Sequence, residues 1–239
     1  MKQPATFYTD ILYPFQDGIL RIVRKLNTPF YLTGGTALSR HYFNHRFSDD
    51  LDLFVNDNDS YGHYIDIIFQ AFEKCQKSGE LTIDYQRLRK EENHTQFFLL
   101  QKTDSPYGRV ELRLDLVNDL AAHYGGFEHD DILGVTDSWR NILSNKLTSI
   151  FRYEAKDFVD IWVIARNRAF LWKEVVQEAK TKEAGIDPIV MYEILTSFPV
   201  DALSSVKWNM AVDEKAFLRD LSVIANDIFT GNKNTLFPR

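Results

Sequence analysis

The chain has 239 residues, 44% hydrophobic and 14% aromatic, with a formal charge of −6 at pH 7 and a single cysteine, Cys75. That length allows one large domain or two small ones, and the composition is that of a well-packed globular protein. One thiol excludes an internal disulfide, the acidic balance argues against a broad nucleic-acid-binding surface, and no uncharged apolar run is long enough for a transmembrane helix.

In chain order, the opening MKQPATFYTD lacks the apolar stretch of a signal peptide, so a cytoplasmic location without membrane association is expected. Ile11, Leu12, Phe15, Ile19, Leu20, Ile22 and Val23 recur at helical spacing and predict an amphipathic helix over 6–26, with Pro14 as a candidate break. A strand at 29–33 runs into Gly34-Gly35, followed by a short helix over 36–43 and a second strand over 50–55. A helix over 61–77 has Asp59 or Ser60 as its candidate cap and Ser78-Gly79 as its end. Residues 81–89, 95–101 and 109–117 predict three strands, the last two joined by the turn-forming loop 103–108. From Asp137 the pattern is helical. Asp137 is the expected cap of a helix over 138–151, and Asp187-Pro188 opens a helix that Pro199 stops. A last helix over 213–229 closes at Gly231. The fold class is α+β: a small mixed β-sheet core with helices, then a helical C-terminal half. Domains are expected at 1–125 and 126–239, with the boundary in the glycine- and acid-rich stretch 123–135.

The chemistry concentrates in 31–54, YLTGGTALSRHYFNHRFSDDLDLF. Asp50 and Asp52 flank Leu51, so in an extended chain both carboxylates leave one face while Leu51, Leu53 and Val55 leave the other. Two like charges at that spacing repel, and a hard divalent cation such as Mg²⁺ or Mn²⁺ relieves the repulsion through carboxylate oxygens. The nearby Gly34-Gly35 turn allows close backbone approach to a phosphate chain, and Thr36 can cap the following helix, contact phosphate, or both. Carboxylates beside a phosphate cradle suggest phosphoryl or nucleotidyl transfer. Arg40 and Arg46 can pair with phosphate or brace the carboxylates, and Ser48 buttresses the turn before Asp50. In 109–117 Asp115 shares the polar face with Glu111 and Arg113, and is preferred over Glu111 as a third carboxylate. Lys146, Asp157 and Asp160 fall on one stripe if their helix runs unbroken, which an internal salt-bridge network would also explain. The six histidines show no metal-ligand spacing.

Gly34-Gly35-Thr36, Arg40, Arg46, Ser48, Asp50, Leu51 and Asp52 together resemble the first signature of the DNA polymerase beta-like nucleotidyltransferase superfamily. The form GGTALSR…HRFSDDLDLF is most similar to the AbiEii/AbiGii toxin family. A second stretch, Asn145-Lys146-Leu147, Arg152, Lys156-Asp157 and Asp160-Ile161, resembles that family's downstream segment, with Lys156 where many relatives carry Arg. The resemblance covers about residues 29–165. It implies a nucleotidyltransferase core and a helical domain completing the nucleotide pocket. It also implies metal ligands at Asp50, Asp52 and Asp115, and nucleotide contacts from Gly34, Gly35, Thr36, Arg46, Lys146, Asp157 and Asp160. The Leu114-Asp115-Leu116 run matches the superfamily's third acidic position.

The same resemblance implies a nucleoside triphosphate substrate, an RNA end such as tRNA as acceptor, and a toxin restrained by a cognate antitoxin. The clusters Arg21, Arg24, Lys25 and Arg87, Arg89, Lys90 are the candidate RNA contacts. A small-molecule acceptor, as in antibiotic modification, a protein hydroxyl acceptor, and a non-catalytic nucleotide-binding module stand as the alternatives.

Overall fold

The computed structural model describes residues 4–238. They form two compact units, one from residues 4–42, 47–121 and 127–137, the other from 43–46, 122–126 and 138–238.

The first unit contains the whole sheet: β1 (Tyr31–Thr33), β2 (Leu51–Asn56), β3 (Thr82–Ile83), β4 (Arg89–Lys90), β5 (His94–Lys102), β6 (Arg109–Asp119), β7 (Glu128–Asp130) and β8 (Gly134–Thr136). The order is β3-β5-β6-β2-β1-β8-β7, with β4 also pairing β5. The sheet is mixed, as expected: β2 runs parallel to β6 and β1 to β8, while β1–β2 and β5–β6 are antiparallel. Alternation explains the strands. Leu51, Leu53 and Val55 of β2, and Val110, Leu112, Leu114 and Leu116 of β6, are all buried. Tyr61, Ile65, Ile68 and Phe72 form the buried face of the helix Tyr61–Ser78, at the three- and four-residue steps of an amphipathic helix. Phe72 packs edge-on against Phe97 of β5 at 5.4 Å. The Tyr61 hydroxyl donates to Leu116 O, 2.8 Å, so its polar tip is satisfied inside the core.

Pro14 does not break the first helix. Ala5–Phe7 and Tyr13–Lys25 are α-helical, joined by a π-helical turn at Tyr8–Leu12. The widened turn just ahead of Pro14 accommodates a residue that has no amide to give and a ring that crowds the preceding turn. Three further elements differ from the sequence pattern. The predicted strand 81–89 is two short strands, because Asp84 folds the chain back: its Oδ1 accepts from Gln86 N at 3.1 Å and its carbonyl from Arg87 N. Stretch 123–135 contains the β7–β8 hairpin, whose tight return uses Gly134 at φ +83°, so the sheet extends through Thr136. Ser60 stands at the N-cap of Tyr61–Ser78, yet its side chain makes no capping bond; Asn58 Oδ1 accepts from Ser60 N instead.

The second unit is helical: Trp139–Ser149, Ala155–Asn167, Trp172–Lys182, Pro188–Thr196 and Glu214–Thr230, with 3-10 turns at Ile150–Arg152 and Val200–Ser205. Asp187 and Asp213 cap their helices through backbone amides, and Gly231 closes the last one in the left-handed region. The cap at the unit's first helix is Ser138, accepting from Asn141 N, rather than Asp137. The helix predicted over 138–151 forms as Trp139–Ser149 with the 3-10 turn Ile150–Arg152, and Tyr153 at φ 54° separates it from Ala155–Asn167, so the unbroken continuation that would put Lys146 and Asp157 on one stripe does not form. Rings of Trp162, Phe217, Phe198 and Phe158 make a continuous cluster in its core. Among the described residues no helix is long and apolar enough to cross a membrane.

Leu114 is fully buried between two polar neighbours on β6, Arg113 and Asp115. Leu114→Ala should lower folding stability by about 2–5 kcal/mol, the range for a buried Leu truncation, measured as a shift in urea midpoint.

Candidate active site

The strand register assembles one polar row across four strands. Asp52 of β2 pairs with Asp115 of β6, Asp115 with Gln96 of β5, and Asp52 with Thr33 of β1. Directly opposed residues share a sheet face, so Gln96, Asp115, Asp52 and Thr33 line up on the same side. Two residues earlier in the chain, Asp50, immediately before β2, and Arg113 of β6 approach that face as well. Arg113 Nη2 donates to Asp50 Oδ2 at 2.5 Å, and its Nε lies 3.1 Å from Asp115 Oδ2. The second of these is an ion pair without the alignment of a hydrogen bond. Asp115 Oδ1 accepts from Gln96 Nε2 at 2.7 Å and lies 2.8 Å from His94 Nε2. Gln96, His94 and the bridging role of Arg113 were not anticipated from the sequence. The alternation in β5, which sets His94, Gln96 and Phe98 on one face, is the signal that could have found the first two.

The glycine turn abuts this row. Gly34 has φ +67°, and a Cβ built there would lie 2.5 Å from Asp52 Oδ2. Any larger residue would therefore strain the backbone and collide with the carboxylate. The Thr36 hydroxyl donates to the Asp50 carbonyl, so it fastens the turn to the start of β2. Gln16 Nε2 holds the approach from the other direction, donating to Ser48 O at 3.2 Å and Asp49 O at 3.1 Å. Arg40 pairs with Asp17 at 2.7 Å and stacks on Tyr13, which places its charge on the first helix. Thr33 Oγ1 donates to Asp137 Oδ2 at 2.5 Å, which explains why Asp137 does not cap the next helix.

Gly34, Gly35, Thr36, Asp50, Asp52 and Asp115 are thus in one unit, around the end of β1, the start of β2 and the middle of β6. Among the described residues no group of three or more His, Cys, Asp or Glu side chains is gathered closely enough to form a ready-made metal cage. The chemistry of the donor set still fits a hard divalent cation. It offers carboxylate oxygens on adjacent strands, and Gly34, having no side chain, lets the turn lie close to the Asp52 carboxylate.

Arg46, Lys146, Asp157 and Asp160 belong to the second unit and form a separate buried network. Arg46 clasps Asp160 with Nε at 2.7 Å and Nη2 at 2.8 Å. Lys146 Nζ lies 2.6 Å from Asp157 Oδ1 and 2.8 Å from Asp160 Oδ2. His45 Nε2 adds a 2.8 Å contact to Asp160 Oδ1, and Arg152 reaches Asp157 at 3.2 Å. Burial alone would push Asp160 up, but the charges of Arg46 and Lys146 outweigh it and hold the carboxyl well below its usual range. Burial likewise works against charge on Lys146, and Asp160 and Asp157 reverse it, so its ammonium titrates above the ordinary lysine range. His45 goes the other way: burial is the largest influence and lowers its pKa. Its Nδ1 is buried with no hydrogen-bond partner, the arrangement of a neutral imidazole carrying its proton on Nε2.

Of the basic clusters, Arg87 is paired with Asp84 and Glu111 and lies over Phe98, and Lys90 is paired with Asp66. Arg24 donates to the carbonyls of Asp131 and Ile132.

Comparison with known proteins agrees with the overall fold. Residues 19–225 match the family described as nucleotidyl transferase AbiEii toxin, type IV TA system. The uncharacterized protein aq_aa25 of Aquifex aeolicus is 29% identical over 173 residues, covering 71% of this chain and 73% of that protein. Two Helicobacter pylori structures share the fold. JHP933 has a TM-score of 0.59 at 18% identity over 91% of both chains. A candidate nucleotidyltransferase has a TM-score of 0.61 at 17% identity over 93% of this chain and 96% of its own.

The His45 geometry sets a pH dependence. A folded-state pKa below the unfolded value of about 6.5 means that the unfolded chain takes up its proton first. The stability from neutral His45 is therefore complete above about pH 6.5 and is lost as pH falls below it, while that from Asp160 is lost only below about pH 3.9. The urea midpoint of wild type should fall between pH 7 and 5, and His45→Gln, which cannot take a proton, should show a shallower fall. Equal slopes would contradict the assignment.

Proposed function

Since the chain belongs to the AbiEii nucleotidyltransferase toxin family of type IV toxin–antitoxin systems, we propose that it transfers a nucleoside monophosphate from a metal-bound nucleoside triphosphate to the hydroxyl of an RNA end, with tRNA foremost. The observation that carries the chemistry is the pairing of Asp52 with Asp115 on adjacent strands, with Gly34 against Asp52.

In this reading Asp50, Asp52 and Asp115 would hold Mg²⁺ or Mn²⁺, which when bound would neutralise charge on the transferring phosphate. The Gly34-Gly35 backbone and Thr36 border the phosphates. Asp115, oriented by His94 and Gln96, accepts the proton of the acceptor hydroxyl. The hydroxyl oxygen bonds to the α-phosphorus, the bond from that phosphorus to the bridging oxygen of the β-phosphate breaks, and pyrophosphate leaves. Nucleotide contact by Lys146, Arg46, Asp157 and Asp160 is proposed on the family resemblance alone, because both cations already have carboxylate partners. A cognate antitoxin is proposed from the type IV system. Pairing of Arg87 and Lys90 with acidic neighbours favours a second reading, in which the acceptor is a small molecule.

The test offers total RNA, aminoglycosides and lysate protein in parallel with each labelled nucleoside triphosphate and Mg²⁺. Wild type should label a tRNA-sized band, and Asp52→Asn should reduce labelling by on the order of 100-fold or more while remaining folded. Label confined to small molecules or to protein would move the acceptor to that class. Nucleotide binding with no transfer to any fraction would leave a non-catalytic module.

A further inference from the structure

Arg113 stands between two of the carboxylates that the proposed function assigns to the metal, and its position bears on how the cation enters. Asp50, immediately before β2, and Asp115 of the neighbouring β6 approach one face, where their charges repel. A single guanidinium bridges them, with Nη2 on Asp50 Oδ2 at 2.5 Å and Nε near Asp115 Oδ2 at 3.1 Å. The opposite oxygen of Asp115 is already engaged by His94 and Gln96. The oxygens of Asp50 and Asp115 that face Arg113 are therefore ones an incoming cation would need. The side chain of Arg113 is 37% exposed and the Asp50 side chain 29%, while Asp115 is 11% exposed and the Arg113 Nε is buried, so the Asp50 end of the bridge sits at the solvent edge of the row, where the arginine can swing out without unfolding the strand. Glu111, two residues back on β6, does not compete for this cation because it is paired with Arg87.

We propose that Arg113 is a built-in counter-ion that holds Asp50 and Asp115 together in the free protein and must be displaced for a divalent cation to bind. It makes the free protein a weak binder of the bare cation, so that the metal enters together with its triphosphate. This is a positioning role and not a catalytic one, and it rests on the metal-site reading given above.

The role predicts a sign that a simple structural brace would not produce. Removing a brace loosens the carboxylates and weakens metal binding; removing a competing counter-ion strengthens it. Mn²⁺ is titrated by calorimetry into wild type, Arg113→Ala, Arg113→Gln, Arg113→Lys and Asp52→Asn, all without nucleotide. Arg113→Ala and Arg113→Gln should bind Mn²⁺ more tightly than wild type by on the order of tenfold, the scale of one nearby unit charge at a partly exposed site. Arg113→Lys should stay close to wild type, and Asp52→Asn should bind more weakly. Arg113→Gln keeps a hydrogen-bonding side chain at the position, so it serves if Arg113→Ala folds poorly. Unchanged or weaker Mn²⁺ binding in the Arg113 variants, with binding still dependent on Asp52, overturns the counter-ion role and leaves the metal site standing. Binding that Asp52→Asn leaves unchanged overturns both.

Discussion

The constraint on which the site depends is the parallel pairing of β2 with β6 in the register that sets Asp52 beside Asp115. A slip of one residue would turn the carboxylates into the core and Leu51, Leu53, Leu114 and Leu116 out of it. The apolar faces of the two strands therefore enforce the register, and the acidic row follows from it. The core that Tyr61–Ser78 completes does two jobs at once: it buries the leucines and it brings like charges together on the other face. The sheet tolerates that repulsion because Arg113, His94 and Gln96 reach the same carboxylates. Gly34 and Thr36 then fix the end of β1 and the start of β2 against each other, one by lacking a side chain and the other by holding the Asp50 carbonyl.

The second unit solves a related problem by burial. Lys146, 8% exposed, holds both Asp157 and Asp160, and Arg46 holds Asp160, so two cations and two carboxylates neutralise each other out of water. Such a network has a high desolvation cost and fails badly if one member is removed, because the partner left behind stays charged and buried. His45 completes it as a neutral donor. His45 and Arg46 lie in the short segment 43–46, which belongs to the helical unit while the residues on either side belong to the first unit.

Much of the sheet face was legible from residues 31–54 because its signals are local. Alternation placed Asp50 and Asp52 on one side, and the same rule placed Asp115 with Arg113. The Asp187 cap and the Gly231 stop were equally local. What the sequence pattern missed depends on partners far away in the chain. Asp137 reads as a helix cap, but Thr33, 104 residues earlier, takes its carboxylate, and Ser138 caps instead. The hairpin Glu128–Asp130 and Gly134–Thr136 is three residues a strand, too short for periodicity to register, and its place depends on β8 pairing with β1. Lys146 and Asp157 do meet, but across a break at Tyr153 instead of along one helix, and stripe geometry gave the contact for the wrong reason. His45 and His94 carried no metal spacing and were passed over, since a histidine that serves one carboxylate leaves no motif.

The central claim is that the Asp50, Asp52 and Asp115 face beside Gly34 is where metal and triphosphate bind. Its most direct test is a crystal structure with Mn²⁺ and a non-hydrolysable nucleoside triphosphate, with the metal located by anomalous scattering. The account predicts an anomalous peak coordinated by Asp50 and Asp52, with the triphosphate alongside the Gly34-Gly35 backbone and Arg113 withdrawn from Asp50. Metal and triphosphate bound together at a site that touches none of these carboxylates would contradict it.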